Sequence, residues 1–127
     1  MVRGLADGSI DCVATDHAPH THADKAGGAL GVIGMETAFP VIFTALVGIG
    51  YVSLERAIDA MSVRPREIFR LGGGRIEAGQ PAELALLDMS AGWTVNPADF
   101  ASKGRNTPYE SWRVWTRVTK LFGCRED

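Results

Sequence analysis

Three consecutive glycines, residues 72–74, separate two stretches of the chain whose apolar residues follow different periods. Upstream of them, apolar side chains recur at the three- and four-residue spacing of one helix face. Downstream, apolar and β-branched residues form the short continuous runs that are typical of strands. A glycine run ends a helix because glycine loses more backbone freedom there than any other residue. The sequence therefore predicts an α/β chain, with residues 1–74 as one unit and residues 75–127 as a small β-rich one.

The first unit contains a β-prone run over residues 10–15 that ends at Asp16. In α/β proteins, ligands bind beyond the carboxyl ends of parallel strands, where the strand stops and its side chains face a crevice. Residues 17–34 follow with three His, Pro19 and four Gly, a composition that predicts a mobile loop acting as a lid. These features predict a ligand site around Asp16.

Helices are predicted on either side of this loop. The first closes at Gly8, and a second covers residues 36–47, with Pro40 tolerated in its first turn. Ser53 is the expected N-cap of a third helix, and Pro65 is expected to open a short fourth one. The third helix has a single apolar face, formed by Leu54, Ala57, Ile58 and Met61.

The β-rich unit is predicted to contain strands at residues 83–88, 93–95 and 113–122. Asn96 can cap a short helix that has Pro97 at its first position and ends near Gly104. Aromatic side chains in strands pack in cores more often than they stack on ligands. We therefore interpret the three tryptophans as packing residues, with stacking on a planar substrate as the alternative: Trp93, Trp112 and Trp115.

Charge and hydropathy exclude two classes of partner. The 127 residues carry a formal charge of −2 from 13 basic and 15 acidic residues, without a basic stripe for nucleic acid. The longest apolar run, residues 38–49, is too short to cross a membrane core of about 30 Å and predicts a buried helix. Cys12 and Cys124 lie far apart without metal-binding spacing, which indicates a reduced, cytoplasmic protein.

Asp16 and His20 are the residues best placed to carry chemistry. A carboxylate at a strand end can bind Zn²⁺ or take a proton from a metal-bound water. Equally, Asp16 can cap the following turn while the His residues face solvent. His20 and His22 also have the spacing of a zinc-ligand pair, but they follow the strand instead of lying on it. Gly31 and Gly34 can either approach a ligand closely or form a hinge.

Residues 14–20, Ala-Thr-Asp-His-Ala-Pro-His, resemble the signature of bacterial dihydroorotases, and residues 34–40, Gly-Met-Glu-Thr-Ala-Phe-Pro, resemble the segment that follows it in that family. Further similar segments continue in the same order to Asn-Thr-Pro-Tyr at residues 106–109. The resemblance implies the C-terminal part of a (β/α)8 amidohydrolase barrel, with its last strand at residues 10–16, and a β-rich accessory domain from about residue 75.

The same resemblance implies roles for individual residues. Asp16 is implied as a metal ligand and as the general base towards a hydroxide held between two Zn²⁺ ions, and then as the acid for the leaving nitrogen. His20 is implied to hold the substrate carboxylate, and the backbone of Leu30 and Gly31 to contact the substrate. The implied reaction is the reversible cyclisation of N-carbamoyl-L-aspartate to L-dihydroorotate in pyrimidine biosynthesis.

The family's other metal ligands have no counterpart in this sequence, so we expect an incomplete C-terminal fragment that is inactive alone. One alternative is an allantoinase- or hydantoinase-type cyclic amidohydrolase. Another is a non-catalytic partner of a different pyrimidine-pathway enzyme. The parent protein is expected to bind a small-molecule substrate, either as a homo-oligomer or in association with another enzyme of that pathway.

Overall fold

A computed structural model describes residues 1–123, and Cys124 lies outside them. The α-helices are α1 (Val2–Asp7), α2 (His22–Ala26), α3 (Ala38–Ile42), α4 (Leu54–Ile58) and α5 (Arg64–Ile68). A π-helical turn at Phe43–Val47 extends α3, another at Asp59–Val63 joins α4 to α5, and a 3-10 turn spans Pro97–Asp99. The strands are β1 (Leu84–Thr94) and β2 (Arg113–Phe122). The predicted α/β class is confirmed.

Several element ends follow from local caps. Gly8 ends α1 in the left-handed conformation, with φ 85°. The Ser53 hydroxyl accepts the backbone N–H three residues ahead and so begins α4. Asn96 caps the 3-10 turn in the same manner, although that turn ends at Asp99 and does not extend to Gly104 as predicted. These caps confirm the predicted stop at Gly8 and the predicted starts at Ser53 and Asn96, because each depends only on nearby residues.

The predicted helix break at Pro65 is only partly correct. Pro65 lies in the first turn of α5, but the helical backbone runs into it without interruption from α4. Proline cannot donate a helix hydrogen bond, and the π-helical turn Asp59–Val63 lies immediately before this part of the chain. One continuous helical stretch of changing hydrogen-bond register therefore replaces the two predicted helices.

The β-prone residues 10–15 do not form the predicted strand. Among the described residues they join no sheet, and the nearest ladder contact is one isolated parallel bridge between His17 and Val32. The segment instead lies against α1, α4 and the π-helical turn that follows α4. Ile10 donates to the Gly4 carbonyl at 2.9 Å and Val13 to the Ala60 carbonyl at 3.0 Å, and Arg56 donates to the carbonyl of Ile10. A strand exists only where a neighbour pairs with it, so the sequence pattern alone was insufficient.

The two strands predicted at residues 83–88 and 93–95 are one strand, β1, which pairs with β2 in an antiparallel hairpin. Its register shifts between Asp88 and Gly92. There the Asp88 carboxylate accepts the backbone N–H of Ser90 at 2.8 Å, which replaces a ladder hydrogen bond with a local one. The irregularity interrupts the apolar pattern, and this interruption explains the incorrect prediction of two strands.

Two apolar cores stabilise the chain. The first lies between α1 and α4 and is formed by Leu5, Val52, Ala57 and Ala60. The second joins the loop before α3 to the hairpin and is formed by Ile33, Val95, Phe100 and Val114. Ile33 is 1% exposed, so it anchors the loop firmly to the β-rich part. The second core therefore crosses the predicted boundary at residue 74, and the division into two domains stays a prediction.

The helix predicted to be buried, α3 with its π-helical turn, is half-buried and contains no fully buried side chain. It packs against β2 on one side, where the Thr44 hydroxyl accepts the N–H of Trp115 at 2.9 Å. No helix within residues 1–123 is long and apolar enough to span a membrane.

The packing interpretation of the tryptophans holds for one of the three. Trp93 is half-buried, and its indole N–H donates to the Thr116 carbonyl at 2.8 Å. Trp112 and Trp115 are instead exposed, at 49% and 44%. Each is covered on one side only, by Tyr109 and by the Arg113 guanidinium respectively. The interpretation is therefore wrong for these two: Trp112 lies just before β2, and Trp115 lies on a face of β2 that has no second layer over it.

Candidate functional site

Asp16 lies in an exposed turn at the end of the extended segment, with φ 46°. Left-handed backbone is uncommon for residues other than glycine, and such strained positions collect at functional sites. Its carboxylate accepts no hydrogen bond from any residue in the described range, so the alternative of a turn-capping Asp16 is not supported. The side chain is thus free to face a ligand.

His17 connects this turn to two other parts of the chain. Its Nδ1 accepts the backbone N–H of Gly34 at 3.1 Å and of Met35 at 3.3 Å. Its Nε2 lies 3.5 Å from the Ser102 hydroxyl. Because Nδ1 is an acceptor, the ring proton belongs on Nε2, towards that hydroxyl. His17 was not among the predicted site residues, since no local sequence pattern shows which backbone amides its ring contacts.

Glu36 lies close to His17 and was also not among the predicted site residues. Its Oε1 accepts the backbone N–H of Ser102 at 2.8 Å, and its Oε2 is buried without a partner among residues 1–123. Burial raises the pKa of Glu36, but hydrogen bonding by Ser102 outweighs it, so the pKa lies below its usual value. Glu36 is therefore an ionised carboxylate that ties the first unit to the second.

The loop over residues 17–34 is not irregular throughout. It contains α2, which begins with a capping box: the Thr21 hydroxyl accepts the Asp24 N–H at 3.1 Å, and the Asp24 carboxylate accepts the Thr21 N–H at 2.9 Å. Lys25 then donates from Nζ to the carbonyls of Ala29, at 2.7 Å, and Gly31, at 3.1 Å. The helix α2 was not predicted, and the mobility of the loop and its function as a lid stay predictions.

The structure brings together two of the predicted substrate-binding residues. Gly31 has φ 120°, and a Cβ placed on it would lie 2.5 Å from the Ala18 Cβ and 3.5 Å from the His20 Cδ2. Only glycine fits this position, because an L-residue would both clash and be strained. The Leu30 side chain is 88% exposed, so it makes no core contact, and its predicted role concerns the backbone alone.

A cavity of about 470 Å³ adjoins this region. It is lined by His20, Thr21, His22, Lys25, Lys103, Arg105 and Asn106. A wall of this composition favours anions, since Lys and Arg carry the charge and His can donate hydrogen bonds. A larger cavity of about 690 Å³ lies between α3 and the hairpin, but its wall is mainly apolar and holds none of the predicted site residues.

Zinc requires more ligands than this part of the chain offers. Structural and catalytic zinc sites use three or four protein ligands. Nowhere in residues 1–123 do three or more His, Cys, Asp or Glu side chains gather in a way that could hold a metal ion. His20 and His22 line the same cavity, but within residues 1–123 no third His, Cys, Asp or Glu joins them in a group that could hold a metal ion. Asp16 fits a metal only as one ligand of an incomplete set.

The chain is related to known proteins by sequence and by fold. No protein-family model matches the chain. Dihydroorotases from Brevibacillus brevis and Halalkalibacterium halodurans are 43% and 45% identical to it, each across 97% of the chain and 30% of the relative's length. By sequence, the chain belongs with the dihydroorotases. It spans less than a third of the length of the dihydroorotases that it matches.

Solved structures confirm the fold of this dihydroorotase-type chain. L-Hydantoinase from Arthrobacter aurescens matches 92% of it with a TM-score of 0.84 at 28% identity, and 28% of that enzyme is covered. D-Hydantoinase from Thermus sp. matches 94% with a TM-score of 0.88 at 25% identity, again with 28% covered. The chain thus has the fold of part of a cyclic amidohydrolase, as the resemblance implied.

Proposed function

We propose that the chain supplies the general base and part of the substrate site of a dihydroorotase, which interconverts N-carbamoyl-L-aspartate and L-dihydroorotate in pyrimidine biosynthesis. The identity of 43% to a dihydroorotase across 97% of the chain carries the proposal. The free, exposed carboxylate of Asp16 supports it, as does the position of His20, whose ring would lie 3.5 Å from a Cβ added to Gly31. Since the chain spans 30% of that relative, the activity belongs to a complete enzyme.

In the hydrolytic direction, Asp16 takes a proton from the attacking water as the new C–O bond forms, and returns it to the ring nitrogen as the C–N bond breaks. The absence of a hydrogen-bond donor to this carboxylate within the described residues leaves both oxygens available for these transfers. We propose Zn²⁺ as the cofactor of the complete enzyme, where it would polarise the carbonyl and lower the pKa of the water.

We propose that the substrate is bound by basic side chains around one cavity and by the neighbouring backbone of Leu30 and Gly31. Both substrates carry carboxylates, and His20 shares its cavity with Lys103 and Arg105. Basic groups around one cavity raise the local concentration of an anion. The backbone of Leu30 and Gly31 lies beside this cavity, because the Gly31 carbonyl accepts hydrogen bonds from Lys25 and Asn106, which both line it.

A segment exchange tests the proposal. The chain replaces the matching segment in the dihydroorotase of Brevibacillus brevis and, separately, in the D-hydantoinase of Thermus sp. We expect the first chimera to interconvert carbamoyl aspartate and dihydroorotate and the second to leave hydantoins unchanged. Activity of the second chimera alone would favour the hydantoinase alternative. Two folded, zinc-loaded but inactive chimeras would favour a non-catalytic partner.

The chain by itself should neither bind zinc stoichiometrically nor turn over dihydroorotate, because its residues 1–123 gather no group of the three or four ligands that zinc needs. Metal analysis and a turnover assay on the 127-residue chain check this. We further propose a cytoplasmic parent enzyme that forms a homo-oligomer or associates with another pyrimidine-pathway enzyme. Size-exclusion chromatography of the first chimera, with and without candidate partners, tests that part.

A further inference from the structure

We propose that Asn106 and Lys25 are positioning residues that hold the carbonyl of Gly31, and with it the adjoining Leu30–Gly31 backbone, in the conformation that receives the substrate. We call these two side chains the Gly31 clamp. The inference rests on the proposed function, in which that backbone contacts the substrate. It adds two residues from different parts of the chain to the site.

Asn106 contributes two hydrogen bonds to the loop. Its side-chain Nδ2 donates to the Gly31 carbonyl at 2.6 Å. Its backbone carbonyl accepts the N–H of Ile33 at 2.9 Å. One residue of the β-rich part therefore fixes the peptide units on both sides of Val32. Because Ile33 is buried in the second core, Asn106 is itself held in register with the loop.

Lys25 reaches the same carbonyl from within the loop. Its ammonium donates to Gly31 at 3.1 Å and to Ala29 at 2.7 Å, so it bridges the two carbonyls that flank Leu30. The Lys25 side chain is half-buried, which protects these bonds from water. Hydrogen bonds from a charged donor are stronger than neutral ones. The Gly31 carbonyl thus has two donors, one neutral and one charged, and its direction is fixed.

The opposite side of the loop leaves little room for another arrangement. Ala18 donates its N–H to Val32 at 2.9 Å. Gly104 packs so closely that a Cβ there would lie 3.1 Å from the Cα of Pro19 and 3.0 Å from Ile33. The Gly31 carbonyl could therefore rotate only if the loop backbone that packs against Pro19 and Gly104 moved as well.

The location of the clamp links it to substrate binding. Lys25 and Asn106 line the cavity of about 470 Å³ that His20 also lines. Loss of either donor would let the Gly31 peptide sample other orientations beside His20. A misplaced Gly31 peptide weakens substrate binding but leaves the reacting groups unchanged. Loss of either donor should therefore raise KM more than it lowers kcat.

Three substitutions test this. Asn106→Asp keeps the shape of the side chain but replaces the donor by a carboxylate that repels the Gly31 carbonyl. Lys25→Met keeps the apolar stem and removes the ammonium. Asn96→Asp is the matched control, since Asn96 uses only its side-chain oxygen to cap a turn outside the loop. Hydrogen exchange of the amides of residues 30–33 is measured in the 127-residue chain, and kinetics are measured in the Brevibacillus chimera.

We expect loop exchange to accelerate about tenfold in Asn106→Asp and in Lys25→Met but not in Asn96→Asp, as for loss of one hydrogen bond. In the chimera, KM should rise about tenfold while kcat stays within about twofold. Exchange equal to that of the control in both variants would overturn the clamp. Faster exchange with an unchanged KM would overturn the positioning role. If the unsubstituted chimera is inactive, the proposed function fails, whereas the exchange measurement still decides the clamp.

Discussion

The Nδ1 atom of His17 lies 3.1 Å from the backbone nitrogen of Gly34 and accepts its hydrogen bond. The residue after Asp16 is thereby fixed to the far end of the loop. We expect His17→Ala to lower the free energy of unfolding of the chain by about 1 kcal/mol, because two N–H groups lose their acceptor. His17→Asn places an amide oxygen near the Nδ1 position and should recover most of this loss. Urea denaturation measures both variants, and equal losses would contradict the assigned contact.

An alanine at Gly31 would suffer both backbone strain and a steric clash, whereas an alanine at Gly28 would suffer the strain alone. Both have positive φ, 120° and 91°, but a Cβ on Gly28 would meet nothing within 4 Å. Gly28→Ala should therefore cost about 1 kcal/mol from strain alone. Gly31→Ala should cost about 1–3 kcal/mol more because of the clash with Ala18.

The double variant Gly31→Ala with Ala18→Gly removes the clash and leaves the strain. Its thermal denaturation midpoint should return to near that of Gly28→Ala. If Gly31→Ala alone is no less stable than Gly28→Ala, the close packing of Ala18 against Gly31 does not exist in solution.

The lowered pKa of Glu36 predicts that the stability of the fold depends on pH. Its pKa is lowered in the folded chain, so it stabilises the fold at pH values above its ordinary pKa of 4.5, and this contribution is lost as the pH falls through the folded pKa. Glu36→Gln should flatten the decrease in melting temperature on acidification. Glu55→Gln, at an exposed position of α4, is the control.

The comparison between variants is needed because other carboxyls act in the same direction. Hydrogen bonds from neighbouring Ser and Thr hydroxyls lower the pKa of Asp7, Asp24 and Asp88. All three carboxyls remain in Glu36→Gln and in the control Glu55→Gln. A difference between the pH dependences of the melting temperatures of these two variants is therefore caused by Glu36. Parallel profiles for Glu36→Gln and the unsubstituted chain would show that the Ser102 contact does not stabilise the carboxylate.

Asp16 should be indispensable in the active chimera. Asp16→Asn keeps the size of the side chain and removes the base, so kcat should fall by about 10²–10⁴. Asp11→Asn is a suitable control because Asp11 is exposed and lies on the same extended segment. A chimera that retains most of its turnover with Asn at position 16 would place the base elsewhere.

Local chemistry allowed part of the fold to be predicted. Gly8, Ser53 and Asn96 end or begin their elements as expected, because each acts through its own φ or through an amide a few residues away. The helix α2 could have been found in the same way, since Thr21 and Asp24 have the spacing of a capping box.

The remaining features depend on parts of the chain that are distant in sequence. Residues 10–15 have strand composition but no strand partner among the described residues, so their propensity was misleading. Asn106 meets Gly31 across 75 positions, and Glu36 meets Ser102 across 66. Such pairs have no spacing rule, whereas Asp16 and His20 are close enough in sequence to be recognised together.

The packing of Gly104 against Pro19 and Ile33 also limits how this chain can change over evolutionary time. A mutation that adds even a methyl group at position 104 pushes on the loop beside His20, although the two positions belong to different ends of the sequence. Such a mutation can persist only with a compensating reduction at position 33 or a shift of the backbone at position 19. Drift in the β-rich part is therefore coupled to the substrate loop, and the two cannot diverge independently.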